Sequence, residues 1–198
     1  MSKIKENSGV LVQGHIKIHD PESGAVFVNK RNAIHYENMS IALAESVANQ
    51  GQGFISSMAF GNGGTSVDPT GIITYLTPNS TGTNASLYNQ TFTKIVDDRS
   101  VSNLDPQRNK IETRHVNGTN YTDVVVTCLL DYGEPNGQDA TDTASASDSL
   151  YVFDELGLVS YASSGTGKLL THVVFHPVQK SLNRLIQIDY TCLLYTSP

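Results

Sequence analysis

The chain has 198 residues, of which 38% are hydrophobic, and this is enough for one domain with a buried core. Its formal net charge is -6 and its 13 Lys and Arg residues are scattered, which argues against specific nucleic-acid recognition because nucleic-acid binders concentrate basic side chains on one surface. The polar start MSKIKENSG lacks the apolar core of a signal peptide, and no apolar run has the length of a membrane span. We therefore expect a protein that is made in a cytoplasm and does not bind membranes.

The first predicted element is a β-hairpin. The segments VLVQGHIKIHD and AVFVNKRNAI alternate apolar and polar residues, which is typical of strands with one buried face. Between them, PESG follows an aspartate and gives an Asp-Pro-x-x-Gly turn.

The segment ENMSIALAESVANQGQG predicts the one helix of the chain. Asn38 is expected to cap its start and Gly51 to end it. Four apolar residues with helical spacing are expected to form its buried face: Ile41, Ala44, Val47 and Ala48.

The rest of the chain reads as β-rich. FISSMAF predicts a short strand and TGIITYL a further extended piece, and three strands are predicted at QTFTKIVDD, KIETRHV and YTDVVVTCLL. Asn117-Gly118 separates the last two strands and predicts a tight hairpin. Residues 132–149 are small, polar and acidic and predict a long loop, the best candidate for a flexible contact arm. Three closing strands, LYVFDELGLVS, LLTHVVFHPV and LIQIDYT, are expected in meander order.

Together these elements predict a mainly β (α+β) fold, an antiparallel β-sandwich-like domain with one packed α-helix near the N-terminus. We expect one domain over residues 1–191. The last residues, CLLYTSP, are the translation of TGT CTC TTA TAC ACA TCT CCG, which resembles the mosaic-end adapter of transposon-based sequencing libraries. Residues 192–198 are therefore expected not to be native, the source to be metagenomic and the native chain to continue past Thr191.

Two glycine-rich stretches raise the question of phosphate binding. AFGNGGTSVDPTG, residues 59–71, follows a strand but has no lysine and no helix behind it, so we expect its glycines to provide positive φ at a turn. SSGTGKLL, residues 163–170, has Ala162 where a phosphate-binding loop has its first glycine and Leu169 where it has Ser or Thr. Both stretches are interpreted as turns, with nucleotide binding as the less favoured alternative at 163–170.

Two histidine pairs could suggest a metal site. His172 and His176 lie in THVVFHP, and His15 and His19 lie in HIKIH. Both segments are predicted strands, in which residues four apart are separated by about 13 Å, too far to share one ion. The favoured interpretation places these histidines on a polar or interface face. Cys128 is interpreted as a small buried side chain, and the two cysteines give neither a disulfide framework nor a metal spacing.

The acidic pairs Asp97-Asp98 and Asp154-Glu155 are adjacent in predicted strands or turns, where neighbours point to opposite faces, so neither pair is expected to converge on a substrate. No Ser lies in a nucleophile elbow. We expect no enzyme activity and no catalytic, cofactor-binding or metal-binding residues. A hydrolase stays an alternative if a pocket gathers four carboxylates: Asp97, Asp98, Asp131 and Glu134.

Two segments carry a resemblance to known proteins. MAFGNGGTSVDPTGIITYL and the closing FDELGLVS with LLTHVVFHPVQKSLNRLIQIDYT resemble structural proteins of tailed bacteriophages, of the neck or collar, baseplate or tail-fibre-attachment type. In that pattern a strand ends in an AFGxGGT-like turn, and a later hairpin element, here Asp154 to Leu158, leads to a turn, here residues 176–180, before the last strand. Asp154 stands where the family usually has Asn.

The resemblance implies a non-enzymatic virion protein that assembles with copies of itself, as a ring or trimer, and with other virion proteins. A β-rich subunit with long polar loops suits such packing. The alternative is a receptor- or carbohydrate-binding β module of a phage tail, which would use the 132–149 loop and four tyrosines, at positions 75, 88, 121 and 132. The absence of Trp, a favoured surface for sugar stacking, weakens this alternative.

Overall fold

The structure, a computed structural model, describes residues 9–135 and 150–197. The fold is mainly β with one α-helix, as predicted. The elements in chain order are β1 Gly9–His19, β2 Val26–Ile34, α1 Tyr36–Val47, β3 Ile55–Gly61, β4 Thr65–Val67, β5 Ile73–Tyr75, β6 Gln90–Ile95, β7 Lys110–His115, β8 Tyr121–Leu130, β9 Leu150–Ser160, β10 Thr171–Ser181 and β11 Ile186–Ser197.

Nine of the strands form one antiparallel sheet in the order β6-β3-β9-β10-β2-β1-β11-β8-β7. The remaining two, β4 and β5, form a separate two-stranded ribbon. The sheet is narrowest between β10 and β2, which pair at Thr171 with Ile34 and at His172 with Ala33.

The sheet curls so that its two halves share one core. Phe60 on β3 and Phe153 on β9 belong to the same buried cluster as Ile16 on β1, Val126 on β8 and Tyr190 on β11. A single sheet whose ends bury the same side chains has the layered arrangement of a sandwich. The predicted sandwich-like domain is therefore confirmed.

The first hairpin is confirmed, because β1 and β2 pair directly. Its turn is held by Asp20, whose Oδ1 accepts hydrogen bonds from the N–H of Glu22 (2.9 Å) and of Ser23 (3.1 Å). These bonds lower the pKa of Asp20 to about 2.

The helix forms, but its predicted cap and buried face are wrong. His35, not Asn38, is the N-cap, and its side chain accepts a hydrogen bond from the Asn38 N–H. The helix ends at Val47, before Gly51, and Asn49 follows it with φ 52°. The predicted face is largely in solvent: Val47 is 88% exposed, Ala44 and Ala48 are exposed and Ile41 is half-buried.

The buried residues of α1 are Asn38, Met39 and Ala42. The chain just before β10 decides this, because the His35 N–H donates to Leu170 O and Asn38 Nδ2 donates to Leu169 O, both at 2.9 Å. These two bonds fix the rotation of the helix against the chain just before β10. Apolar spacing in a short helix could not reveal this contact.

The predicted meander of the last three strands is half right. β9 and β10 pair, but β11 lies between β1 and β8, because β2 and β1 take the place next to β10. The turn predicted at residues 176–180 is also wrong, since β10 continues through Pro177 to Ser181. Pro177 lies instead at a register shift between β10 and β9, a position that tolerates a residue without an N–H.

Two predicted turns are confirmed. Residues 116–120 connect the paired strands β7 and β8, with Gly118 at φ 85°. Residues 161–170 connect β9 to β10, with Gly165 at φ 85° and a hydrogen bond from the Ser160 N–H to Lys168 O (3.0 Å). The glycine-rich stretch at 163–170 is thus part of a hairpin connection.

Both cysteines are buried, as predicted for Cys128, and burial raises the pKa of each thiol to about 12. Residues 192–197, expected not to be native, continue β11 and pair with β1 and β8. Their origin stays a prediction. Most of the predicted loop at 132–149, residues 136–149, lies outside the described residues.

Candidate functional site

The glycine-rich stretch at residues 59–71 connects the end of β3 to the ribbon. Gly61 ends β3, residues 62–64 form a loop, and Thr65 begins β4. At the far end of the ribbon, Asp68 Oδ1 accepts hydrogen bonds from the N–H of Thr70 (2.8 Å) and of Ile72 (3.0 Å). Residues 68–72 therefore form a turn at the end of the stretch at 59–71, as expected. The loop before it is held by side chains from a distant part of the sequence.

Asp154 on β9 binds the second half of this loop. Its Oδ1 accepts a hydrogen bond from the Gly64 N–H (2.9 Å), and its Oδ2 accepts from the Thr65 N–H (2.8 Å) and from Thr65 Oγ1. The carboxylate is buried, so these three bonds replace the water that it would have in the unfolded chain.

Glu155, the next residue on β9, binds the first half of the loop and a second stretch as well. Its Oε1 accepts from the N–H of Gly63 (3.1 Å) and of Asn89 (2.8 Å), and its Oε2 accepts from the Tyr88 N–H (3.0 Å). One fully buried carboxylate thus joins residues 63 and 88–89.

His172 on β10 completes the cluster. Its Nδ1 accepts a hydrogen bond from the Asn79 N–H (2.7 Å), and a backbone N–H can only donate. The ring hydrogen is therefore on Nε2, which donates to Glu155 Oε2 (2.9 Å). We call the side chains of Asp154, Glu155 and His172 the clasp, because together they bind backbone groups between residues 63 and 89.

The strand β9 presents both carboxylates to the same loop because its pairing is irregular at this point. Opposite β10, Glu155 pairs with Val174 and Phe153 pairs with Val178, so three residues of β10 face the single residue Asp154. Such a bulge breaks the alternation of faces along a strand. The premise that these two neighbours point to opposite faces is therefore wrong, while the expectation that the pair does not converge on a substrate stays a prediction.

The environment of Glu155 favours its charged form. Burial by itself raises the pKa of this carboxyl, but the hydrogen bonds from His172 and from the three backbone N–H groups outweigh burial and hold the pKa below its usual range. A charged carboxylate accepting several N–H bonds gives short, strong contacts. The clasp therefore stabilises the fold when Glu155 is ionised.

This leads to a prediction about acid stability. Because the pKa of Glu155 is lower in the folded chain than in the unfolded chain, its contribution is fully present above the ordinary value of 4.5 and is lost as the pH falls through the folded value. Urea unfolding at pH 7, 4.5 and 3 should show falling stability below pH 4.5. The fall should be smaller in Glu155→Gln, and equal pH dependence in the two proteins would contradict this role.

The glycines of the loop are needed for close approach, which corrects the prediction of positive φ. None of Gly61, Gly63 and Gly64 has a positive φ; within 59–71 it is Gly71 that has one, at 85°. A Cβ at Gly63 would lie 2.8 Å from the Asn89 backbone nitrogen, and a Cβ at Gly64 would lie 2.9 Å from Val174 Cγ1. A side chain at either position would push the loop away from the clasp.

Residues 62–89, which we call the cover segment, lie across the outer face of β3, β9 and β10. Met58 and Phe60 of β3 point into the main core, whereas Ala59 between them joins a second buried cluster with Leu87 and Leu169. Leu87 is the buried apolar anchor of the segment. Five other large apolar residues of the segment are exposed: Val67, Ile72, Tyr75, Leu76 and Tyr88.

The geometry explains why the loop looks like a phosphate site. Consecutive N–H groups at residues 63–65 point at negatively charged oxygens, as they do around a bound anion. In this chain those oxygens belong to Asp154 and Glu155. Sequence reasoning missed this pairing, although two acidic residues inside the apolar strand YVFDELGLVS are a signal that buried charges need partners.

The other histidines considered from sequence are apart from the clasp. His176 is exposed and lies 3.3 Å from the Tyr75 hydroxyl. His15 is exposed on β1, and His19 Nε2 lies 2.8 Å from Asp189 Oδ2. The prediction of a polar or interface face is wrong for His172, which is fully buried.

The four carboxylates of the hydrolase alternative have separate partners. Asp131 pairs with Arg108, and Glu134 pairs with Lys94 and accepts the Asp131 N–H (2.9 Å). Asp97 accepts the Arg99 N–H (3.1 Å), and Asp98 is exposed. The Asp131 backbone therefore contacts the Glu134 carboxylate, while the carboxylates of both residues pair with cations.

The four tyrosines of the sugar-binding alternative fall in different places. Tyr75 and Tyr88 are both on the cover segment and are 51% and 42% exposed. Tyr121 begins β8, and the Tyr132 hydroxyl donates to Glu22 Oε1 (2.6 Å). Only the first two belong to one segment.

Comparisons with models of protein families, with curated proteins and with solved structures find no match to this chain. Within residues 9–135 and 150–197, no group of three or more His, Cys, Asp or Glu side chains is placed to hold a metal ion. The same ranges contain no helix with the length and apolar character needed to cross a membrane.

Proposed function

We propose that this chain is a non-enzymatic structural protein of a tailed-phage virion, which contributes to neck, tail or baseplate assembly by self-association and by contacts with other virion proteins. The observation that carries the proposal is the clasp. The two segments that resemble phage structural proteins, around Gly63 and around Asp154, are distant in sequence but form one unit in which carboxylates of one bind backbone N–H groups of the other.

The surface next to the clasp suits assembly. The ribbon β4–β5 projects Val67 and Ile72 into solvent, each 63% exposed, and its turn is braced by Asp68. A braced ribbon with exposed apolar side chains loses little entropy when a partner covers it. We propose this ribbon as a contact with neighbouring subunits.

The test is the mass of the purified protein and its presence in particles. Sedimentation at several concentrations should give a ring or trimer mass, and mass spectrometry of purified virions of the source phage should detect the chain. Val67→Ser with Ile72→Ser should reduce the oligomer, whereas Val101→Ser with Leu104→Ser, which alters two even more exposed apolar residues of the 96–109 loop, should not. A monomer at all concentrations that is absent from particles would contradict the proposal.

The alternative, a receptor- or carbohydrate-binding module of a phage tail, is favoured by one observation. Tyr75 and Tyr88 are half-exposed on the same segment, and flat aromatic faces are common sugar contacts. Glycan-array binding that is lost in Tyr75→Ala and Tyr88→Ala, with a monomeric mass, would favour this alternative over assembly.

A further inference from the structure

Asparagine followed by glycine occurs at two places in the part of the chain that the structure describes, Asn62-Gly63 and Asn117-Gly118. A third such pair, at 136–137, lies outside the described residues. In such a pair the backbone nitrogen of the glycine can attack the side-chain amide carbon of the asparagine, because glycine has no Cβ to hinder the approach. The attack requires a backbone nitrogen that is free to rotate toward the side chain.

Asn117-Gly118 is the exposed tip of the β7–β8 hairpin. The turn is closed by Val116 O, which accepts hydrogen bonds from the Thr119 N–H (3.1 Å) and from Thr119 Oγ1 (2.7 Å). The peptide unit between Asn117 and Gly118 takes no part in this closure. No acceptor in the described part of the chain binds the Gly118 N–H, and a Cβ at Gly118 would have nothing within 4 Å. This peptide unit can therefore rotate while the turn stays closed.

Asn62-Gly63 is held by the clasp and by Asn89. The Gly63 N–H donates to Glu155 Oε1 (3.1 Å), an oxygen of a fully buried carboxylate. The Asn62 N–H donates to Asn89 O (3.1 Å), and Asn62 Oδ1 accepts from Asn89 Nδ2 (2.6 Å). Attack by the Gly63 nitrogen would first break its bond to Glu155 and move the Asn62 side chain away from Asn89.

We propose that Asn117 is a site of spontaneous deamidation and that the clasp protects Asn62 from the same reaction. The Gly118 nitrogen loses its proton and bonds to Asn117 Cγ, the Cγ–Nδ2 bond breaks, and the amide nitrogen leaves with that proton as ammonia. Water then opens the resulting succinimide ring at either carbonyl. The products are aspartate and isoaspartate, and water is the only co-reactant.

The modification changes the tip of the hairpin without burying a charge. Each event adds one negative charge to a formal net charge of -6, and isoaspartate also adds a methylene group to the backbone between β7 and β8. Because Asn117 and Gly118 are exposed, the new carboxylate stays in water and has no desolvation cost. The modified chain should therefore keep its fold and accumulate as a more acidic form.

Incubation of the full chain at pH 8, followed by proteolysis and tandem mass spectrometry, tests this proposal. The readout is the fraction of each asparagine that has become heavier by the difference between NH and O. Asn117 should react about tenfold faster or more than Asn62, because the reaction at Asn62 first breaks a hydrogen bond to a charged group. In guanidinium chloride the two rates should become similar. Equal rates in the folded chain, or an equally large difference in guanidinium chloride, would overturn the proposal.

Two variants separate the clasp from overall stability. Glu155→Gln should speed the reaction at Asn62 several-fold and leave the rate at Asn117 unchanged. Ile188→Ala removes a fully buried side chain from β11, in the other half of the sheet, and so destabilises the fold without altering the clasp. Asn62 should stay protected in this second variant. An unchanged rate at Asn62 in Glu155→Gln, or the same increase in both variants, would overturn the protective role of the clasp.

A third variant assigns the reactive residue in the hairpin. Asn117→Gln should abolish the heavier product at the hairpin tip, because the longer side chain does not form the succinimide ring. Asn120 stays unchanged in this variant and is the matched control, since it is an exposed asparagine of the same connection but precedes Tyr121. A heavier product that persists at the hairpin tip in Asn117→Gln would overturn the assignment to Asn117.

Discussion

Glu155→Gln is expected to lower the free energy of unfolding by about 3 kcal/mol, because it removes a buried charge whose partners stay in place. Each carboxylate oxygen accepts two hydrogen bonds, from Gly63 and Asn89 on Oε1 and from Tyr88 and His172 on Oε2. A glutamine amide places an NH2 group against one of these pairs. The two N–H groups that donate to that oxygen in the wild type would then face the N–H groups of the amide in a fully buried site. Urea unfolding at pH 7 measures the loss.

The matched control is Glu112→Gln on the edge strand β7. Glu112 also lies on a strand, but it pairs with two cations, Lys110 and Arg114, and 40% of its side-chain surface is in solvent. Exposed ion pairs contribute about 0–1 kcal/mol, so this variant should unfold close to the wild type. If both variants unfold at the same urea concentration as the wild type, the clasp does not hold the fold together.

A double variant, Gly63→Ala with Gly64→Ala, is expected to be destabilised by about 1–3 kcal/mol at each position, the usual range for inserting a methyl group where there is no room. The Cβ at residue 63 would meet backbone at 2.8 Å, which cannot move without breaking the bond from Asn89 to Glu155. The Cβ at residue 64 would meet the Val174 side chain at 2.9 Å. The same change should weaken any oligomer that uses the ribbon, because the loop positions β4.

Thermal or urea unfolding together with sedimentation measures both effects. Gly9→Ala is the control, since a Cβ there has nothing within 4 Å and its φ is not positive. Unchanged stability and an unchanged mass in the double variant would remove the close-approach role of these glycines. Reduced stability with an unchanged mass would separate the folding role from assembly.

The strands were predictable because their signals are local. Alternating apolar residues in β1, the Asn117-Gly118 turn and the β-branched run of β8 each specify a conformation through residues close in sequence. Strand neighbours were not predictable to the same degree. The predicted meander of β9, β10 and β11 was wrong for β11, which lies between β1 and β8 and does not pair with β10. Its two partner strands are more than 50 residues away in sequence, so local patterns do not select them.

The helix was also predictable only in part, because local spacing does not show which face it buries. Its existence followed from spacing, but the face it buries depends on Asn38 reaching Leu169 O. The rule that adjacent strand residues face opposite sides failed at Asp154 and Glu155 for a related reason. The bulge at Phe175, His176 and Pro177, opposite Asp154, is created by the pairing of two strands, and neither strand shows it alone.

By itself, the sequence determined that the chain is mainly β, with one helix among the residues that the structure describes, and that the chain turns within residues 59–71, because backbone preference and side-chain periodicity act over a few residues. The tertiary structure decided what that turn is for. Its N–H groups form the kind of site that binds anions, and the curled sheet places the buried carboxylates of Asp154 and Glu155 there. A buried charge must find donors wherever the fold brings them, so this contact depends on long-range packing.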